Sequence, residues 1–203
     1  MKATIILNGN AKETLYINSD IIIAADGGAK VLKERGILPN VIIGDLDSLD
    51  NDTLEYFKKN NVEIIEYPKE KDETDCEIAI KYAFENGYDE IEILNFFGER
   101  LDMILALFGL MKKFDTKILL RSEKLECSII KNTFEKNVKI GEIWSFIPIC
   151  NAKFKLDGFK YTFDGEMNIK NPIGISNETN SKNIKVQVFE GEVIYFRWLK
   201  KPL

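Results

Sequence analysis

Short apolar runs in the first half of the chain are continuous rather than alternating, and they stop abruptly. IIIAAD (residues 21–26) ends in an acid. NVIIGD (40–45) ends in a glycine and an acid. ATIIL (3–7) runs into Asn8 and Gly9, and VEIIEY (62–67) is closed by Pro68. A run of β-branched residues without polar alternation suits a strand buried on both faces, which is the condition of a parallel sheet. Helical patterns separate these runs. GGAKVLKERG (27–36) has Gly36 as its C-terminal stop, and 52–60 follows as a second helix pattern. In the third, 76–84, Cys76, Ala79, Ile80 and Ala83 share one face. IEIL (91–94), an apolar helix over 101–114 and KILL (117–120) complete the series. Strands that alternate with helices predict a three-layer α/β domain with a parallel sheet.

The pattern changes near Ser122. Beyond it no helix is predicted. LECSIIK, GEIWSFIPI, AKFKLDGFKYTF and IKVQVFEGEVIYFRW read as strands with turns, the last carrying a hairpin signal at Glu190 and Gly191. The predicted organisation is an α/β domain over 1–123. A smaller antiparallel, all-β, sandwich-like domain follows over 124–203. Trp144, Phe146, Phe154, Phe159, Tyr161 and Phe163 read as β core and interface rather than as a ligand cage.

Composition limits the chemistry. The 203 residues contain no histidine, which removes imidazole acid–base catalysis, Ser-His and Cys-His nucleophiles and the usual zinc sites. A net charge of −5 argues against a nucleic-acid surface but leaves room for a nucleotide. The three cysteines, Cys76, Cys127 and Cys150, are widely spaced and read as reduced thiols. No leader segment or membrane-spanning run is visible, so the expected location is the cytoplasm.

Acids gather where strands are predicted to end. Asp26, Asp45 and the acids after Pro68 would share one edge of a parallel sheet, where ligands bind. On an extended backbone Asp45 and Asp47 would point the same way and suit Mg²⁺. The competing reading of DLDSLDND is a polar loop in which Asp50, Asn51 or Asp52 caps the next helix. That reading explains Asp50 to Asp52 but leaves Asp45 and Asp47 without a role. In KEKDETDCE (69–77), Thr74 and Glu77 form a capping box, and Asp75 suits a first helical turn. Asp72 is left over, and Lys69 and Lys71 are placed to meet phosphate. In FFGERLD (96–102), Arg100 opens a helix after a glycine. It is either a phosphate contact or an ordinary helix-start side chain, with Asp102 aiding the N-terminus. ADGG (25–28) offers Gly27 and Gly28 for close backbone approach or for a plain tight turn.

In this order, ADGGAKVLKERGILPNVIIGDLDS, YPKEKDETDCEIAI, GERLD and GISNE resemble the thiamine pyrophosphokinase family, with FIP (146–148) and GFKYTF (158–163) in support. The resemblance runs from Ala25 onward. It implies an α/β domain followed by a β domain, and a homodimer with sites at the subunit contact. It implies Mg²⁺-dependent transfer of the pyrophosphoryl group of ATP to thiamine, giving thiamine diphosphate and AMP. By the same resemblance Asp45, Asp47 and Asp75 hold the metal, with Asp26 close by. Lys71, Asp72, Arg100 and Asp102 line the nucleotide side, and Ser176 and Asn177 meet thiamine. Asp72 is the candidate acceptor of the hydroxyl proton.

One stretch departs from the family pattern. The family continues its arginine motif as Arg, any residue, Asp, His, with Asn four residues after the His. Here Met103 and Leu107 stand at those two positions. Two other readings therefore stay open. One is a diverged thiamine or nucleotide binder without catalysis. The other is a different Mg²⁺-dependent phosphotransfer enzyme.

Overall fold

The computed structural model describes residues 1–9, 14–114 and 116–202. The chain divides into two compact units, Met1–Ser122 and Glu123–Leu203.

In the first unit, β1 (Lys2–Ile6), β2 (Ile21–Ala25), β3 (Val41–Gly44), β4 (Glu63–Glu66), β5 (Glu90–Leu94) and β6 (Lys117–Arg121) form a wholly parallel array. Their order is β6-β5-β1-β2-β3-β4. The chain builds outward from β1 through β4, then returns to the other side of β1 as β5. The β1–β5 junction is therefore a topological switch point, where strand ends diverge and leave a crevice.

Alternate strand residues face opposite sides. Ile6, Ala24, Ile42 and Leu94 pack with Ala29, Leu32 and Phe57. These come from α1 (Gly28–Lys33) and α2 (Asn51–Lys59). Ile5, Ile23, Ile43 and Ile93 point the other way and are equally buried. α3 (Asp75–Glu85) packs on β1, β2 and β3 and presents Cys76, Ala79, Ile80 and Ala83 as buried residues. Helices on both faces explain why β2 and β3 are apolar throughout. α4 (Leu101–Lys113) follows β5. The N-caps match the sequence: Asp50 accepts from the Thr53 N–H at 2.7 Å, and Thr74 accepts from the Glu77 N–H at 3.2 Å.

The second unit contains no helix among its described residues. β7 (Leu125–Ile130), β9 (Ile143–Ile147), β12 (Asn177–Glu178) and β14 (Val193–Trp198) pair antiparallel in the order β12-β9-β14-β7. β8 (Thr133–Asn137), β10 (Ala152–Asp157), β11 (Phe163–Met167) and β13 (Asn183–Glu190) form a second antiparallel sheet, β11-β10-β13-β8. Trp144, Phe146 and Tyr195 from one sheet pack with Phe154, Leu156 and Val186 from the other, giving a sandwich core.

Two expectations need correction. Glu190 and Gly191 do not make a hairpin, because β13 pairs with β10 and β8 while β14 pairs with β7 and β9. The turn carries the chain from one sheet to the other. Gly191 has φ +75, and a Cβ there would lie 2.4 Å from the Asn151 carbonyl oxygen. Finally, Tyr161 is not core. It is 64% exposed, whereas Trp144, Phe146, Phe154 and Phe159 are fully buried.

Candidate functional site

The carboxyl ends of β1, β2 and β5 open into a cavity of about 520 Å³. Asn95, just after β5, fastens the two sides of the switch point. It is buried at φ +56, and its amide donates to the Leu7 and Gly9 carbonyls at 2.8 and 2.9 Å. Sequence reading missed Asn95. An asparagine directly after a strand was its only signal, and asparagine tolerates this left-handed conformation better than most residues. Asp26, Gly27, Ser48, Thr74 and Asp75 line one part of the cavity. Leu7, Phe96, Met103, Ala106, Leu107 and Leu110 line an apolar part.

Asp26 and Gly44 meet closely at the ends of β2 and β3. The Asp26 N–H donates to the Ile43 carbonyl at 2.8 Å, and Asp26 itself has φ +42. Gly44 has φ +155, and a Cβ on it would stand 2.8 Å from the Asp26 Cβ. Gly44→Ala is therefore expected to lose about 2 kcal/mol of stability through backbone strain and collision. Chemical denaturation followed by far-UV circular dichroism measures it; an unchanged midpoint would refute the collision.

Carboxylate oxygens of Asp26, Asp45 and Asp47 lie within 4.8 Å of one another. The backbone that does this is not extended. Leu46 has φ +63, and the Asp47 N–H donates to Asp45 Oδ1 at 3.2 Å. The two acids converge through a tight Asx-type turn rather than by strand alternation. Asp26 Oδ1 is buried and has no hydrogen-bond partner. An orphaned buried carboxylate oxygen beside two further carboxylates fits a hard cation, which would supply the missing partner.

Asp75 lies outside that trio and faces Lys71 instead. Lys71 Nζ is 3.1 Å from Asp75 Oδ1 and 3.4 Å from Asp45 Oδ2. The contact to Asp75 is an ion pair by distance; that oxygen lacks hydrogen-bond geometry to any partner. The Asp47 backbone N–H, then Lys71, hold Asp45 below its ordinary carboxylate pKa. Burial raises the pKa of Asp75, reinforced by Asp26 and Asp45, against the pull of Lys71. Burial disfavours the Lys71 ammonium, but Asp75 and Asp45 outweigh it and the pKa is raised.

Other expected residues are placed differently from one another. Arg100 lines the cavity and donates through Nε to Asp102 Oδ1 at 2.9 Å. That bond leads the causes that bring the exposed Asp102 down to about 2. Asp72 is exposed and, like Lys71 and Asp102, does not line the cavity. In the β unit, Ser176 is exposed at φ +56, its N–H donating to Ser145 Oγ at 3.0 Å. Asn177 is buried. Its amide donates to the Tyr161 carbonyl at 2.7 Å and accepts from the Tyr161 and Glu178 N–H groups. Its side chain orders the Tyr161 loop.

Residues 13–120, more than half of the chain, match the family described as thiamin pyrophosphokinase, catalytic domain. Residues 131–193 match the thiamin pyrophosphokinase vitamin B1 binding domain. A thiamine pyrophosphokinase of Bacillus subtilis is 30% identical over 165 residues, covering 77% of each chain. The chain belongs to the thiamine pyrophosphokinase family of enzymes. Solved structures from that family share the fold. A crystal structure of thiamine pyrophosphokinase from Bacillus subtilis superposes with a TM-score of 0.87 at 23% identity, covering 99% of this chain and 100% of that one. One from Geobacillus thermodenitrificans gives 0.85 at 25% identity, covering 99% of both. A thiamine pyrophosphokinase thus has this α/β unit followed by this β sandwich. No helix among the described residues is long and apolar enough to cross a membrane.

Proposed function

We propose that the protein transfers the pyrophosphoryl group of ATP to the hydroxyl of thiamine, giving thiamine diphosphate and AMP, with Mg²⁺ held by Asp26, Asp45 and Asp47. The observation that carries the metal assignment is the trio of carboxylates within 4.8 Å, one of them with an orphaned buried oxygen. Bound Mg²⁺ would neutralise phosphate charge and polarise the phosphoryl oxygens.

The rest of the work falls to the chain. Phosphoryl-group transfer depends mainly on positioning and charge stabilisation, so the absence of histidine is no obstacle. The cavity beside the trio has room for a nucleotide. Arg100, oriented by Asp102, keeps guanidinium N–H groups for phosphate oxygens. Gly27, which lines the cavity, is the proposed backbone contact for phosphate. Asp72, on the solvent side, is the proposed acceptor of the thiamine hydroxyl proton. Ser176 is the proposed thiamine contact from the β unit, and Asn177 acts by shaping the Tyr161 loop beside it. Asp75 is the proposed fourth acid of the metal site. A homodimer and a cytoplasmic location complete the proposal. The first rests on the family resemblance. The second is supported by three free cysteines, which fit a reducing compartment.

The test is AMP release from ATP and Mg²⁺ with and without thiamine. Thiamine-dependent AMP together with thiamine diphosphate is the expected result. ADP or free phosphate as the product would overturn it in favour of another phosphotransfer reaction. A second reading, a non-catalytic binder, draws on Met103 and Leu107, which give the cavity an apolar wall. Nucleotide binding with no AMP from folded protein would select it.

A further inference from the structure

Lys71 answers a problem the acids create for one another. Four aspartates, Asp26, Asp45, Asp47 and Asp75, crowd the ends of β2 and β3 and the start of α3, and carboxylates this close disfavour each other's charge. The Lys71 side chain is only 11% exposed, and its ammonium touches Asp45, Asp75 and the Pro68 carbonyl, the last at 3.2 Å. A cation removed from water to this degree needs such partners. Lys69 also pairs with an acid, reaching Asp47 at 3.2 Å, but Lys69 is 67% exposed and Asp47 46%. Solvent screens that pair, so it contributes little to the balance.

The charge that makes Lys71 a good partner for metal-free acids makes it a rival to a metal. Asp45 belongs both to the carboxylate trio and to the lysine's pair. Asp75, the acid outside the trio, is held by the same ammonium. Lys71 sits between β4 and α3, in a segment that is neither helix nor strand, so its side chain can withdraw without breaking a ladder or a helical turn.

We propose that Lys71 is the resident counter-cation of the acid cluster in the metal-free enzyme. A divalent cation entering the trio displaces its ammonium, which frees Asp45 Oδ2 and Asp75 to face the new charge and turns Lys71 loose toward the anionic substrate. This rests on the reading of Asp26, Asp45 and Asp47 as the cation site, and it makes Lys71 a positioning residue.

The test is calorimetric titration of Mg²⁺ into the nucleotide-free protein, with melting temperatures measured with and without Mg²⁺. Lys71→Met is expected to bind Mg²⁺ about tenfold more tightly than wild type, since a like charge at this distance has been removed. Its melting temperature is expected to fall without Mg²⁺ and to rise more than wild type on adding it. Lys69→Met is expected to stay within about twofold of wild type in Mg²⁺ affinity. Lys71→Gln, which keeps a hydrogen-bond donor without the charge, serves if Lys71→Met does not fold. Unchanged or weaker Mg²⁺ binding in the Lys71 variants, with wild type binding normally, overturns the displacement idea alone. So does a fall in melting temperature that is equal with and without Mg²⁺, the mark of a purely structural lysine. If neither wild type nor variants bind Mg²⁺ and Asp45→Asn changes nothing in the titration, the cation site itself is refuted.

Discussion

Asp45→Asn is expected to lower kcat/KM for thiamine diphosphate formation by about 10³-fold while the protein stays folded. The substitution is close to isosteric. The amide oxygen it introduces could still accept the Asp47 N–H, so the turn through Leu46 would keep its anchor. What disappears is a full negative charge at the one acid shared by the carboxylate trio and the lysine pair. That charge is well established at neutral pH, because the Asp47 backbone N–H and then Lys71 hold the carboxyl below its ordinary range. The substitution therefore removes an ionised carboxylate rather than a group already neutral. The defect should appear mostly in kcat, since thiamine is proposed to bind through the β unit. Steady-state kinetics, with near-UV circular dichroism to show intact packing, measures this. Activity within about fivefold of wild type would sink the role given to Asp45.

The part of this site that could be read from sequence follows from β-sheet geometry. Asp26 and Asp45 end two apolar runs, and the runs become the adjacent strands β2 and β3. Adjacent parallel strands put their carboxyl ends side by side, so the two acids had to meet. Helices on both faces were legible for the same reason, because Ile23 and Ala24 are both buried. The link between Asp45 and Asp47 was not legible. Strand alternation gave the right neighbours by the wrong route, since Leu46 takes a left-handed conformation that nothing about leucine signals. The pairing of Lys71 with Asp45 and Asp75 was not legible either. Its partner Asp45 is 26 residues away in sequence, beyond the reach of any local pattern. The β unit was harder for a related reason. Turn residues such as Gly191 announce a change of direction but do not name the strand that will be met next. β8 and β11 lie at sheet edges with alternately exposed residues, and so lack the apolar run that marks a central strand.

Arg197→Met is expected to cost the β unit about 3 kcal/mol, the range for removing one member of a largely buried ion pair. Arg197 on β14 donates through Nε to Glu142 Oε2 at 2.8 Å and through Nη2 to Oε1 at 3.1 Å, and it lies 3.5 Å from Glu126 Oε2. Its guanidinium also covers the Trp144 ring at 5.6 Å. Glu142 does more than pair. Oε1 accepts the Lys139 N–H, and the backbone exchanges hydrogen bonds with Thr179, two residues beyond Asn177. The pair thus supports the segment that carries Ser176. Methionine keeps much of the volume but leaves Glu142 charged without its guanidinium. Both tryptophans, Trp144 and Trp198, lie in this unit, so urea unfolding followed by tryptophan fluorescence reports it selectively. The effect must depend on pH in one direction. Burial alone would raise the Glu142 pKa, but the bonds from Arg197 and the Lys139 N–H prevail and lower it from its ordinary 4.5. A carboxylate lowered on folding contributes its full stability above its unfolded pKa and loses it as pH falls toward the folded one. The gap between wild type and Arg197→Met should therefore be largest near neutrality and shrink as pH falls below 4.5. A gap that is constant from neutral to acid pH would mean that Arg197 acts by packing on Trp144 and not by its charge.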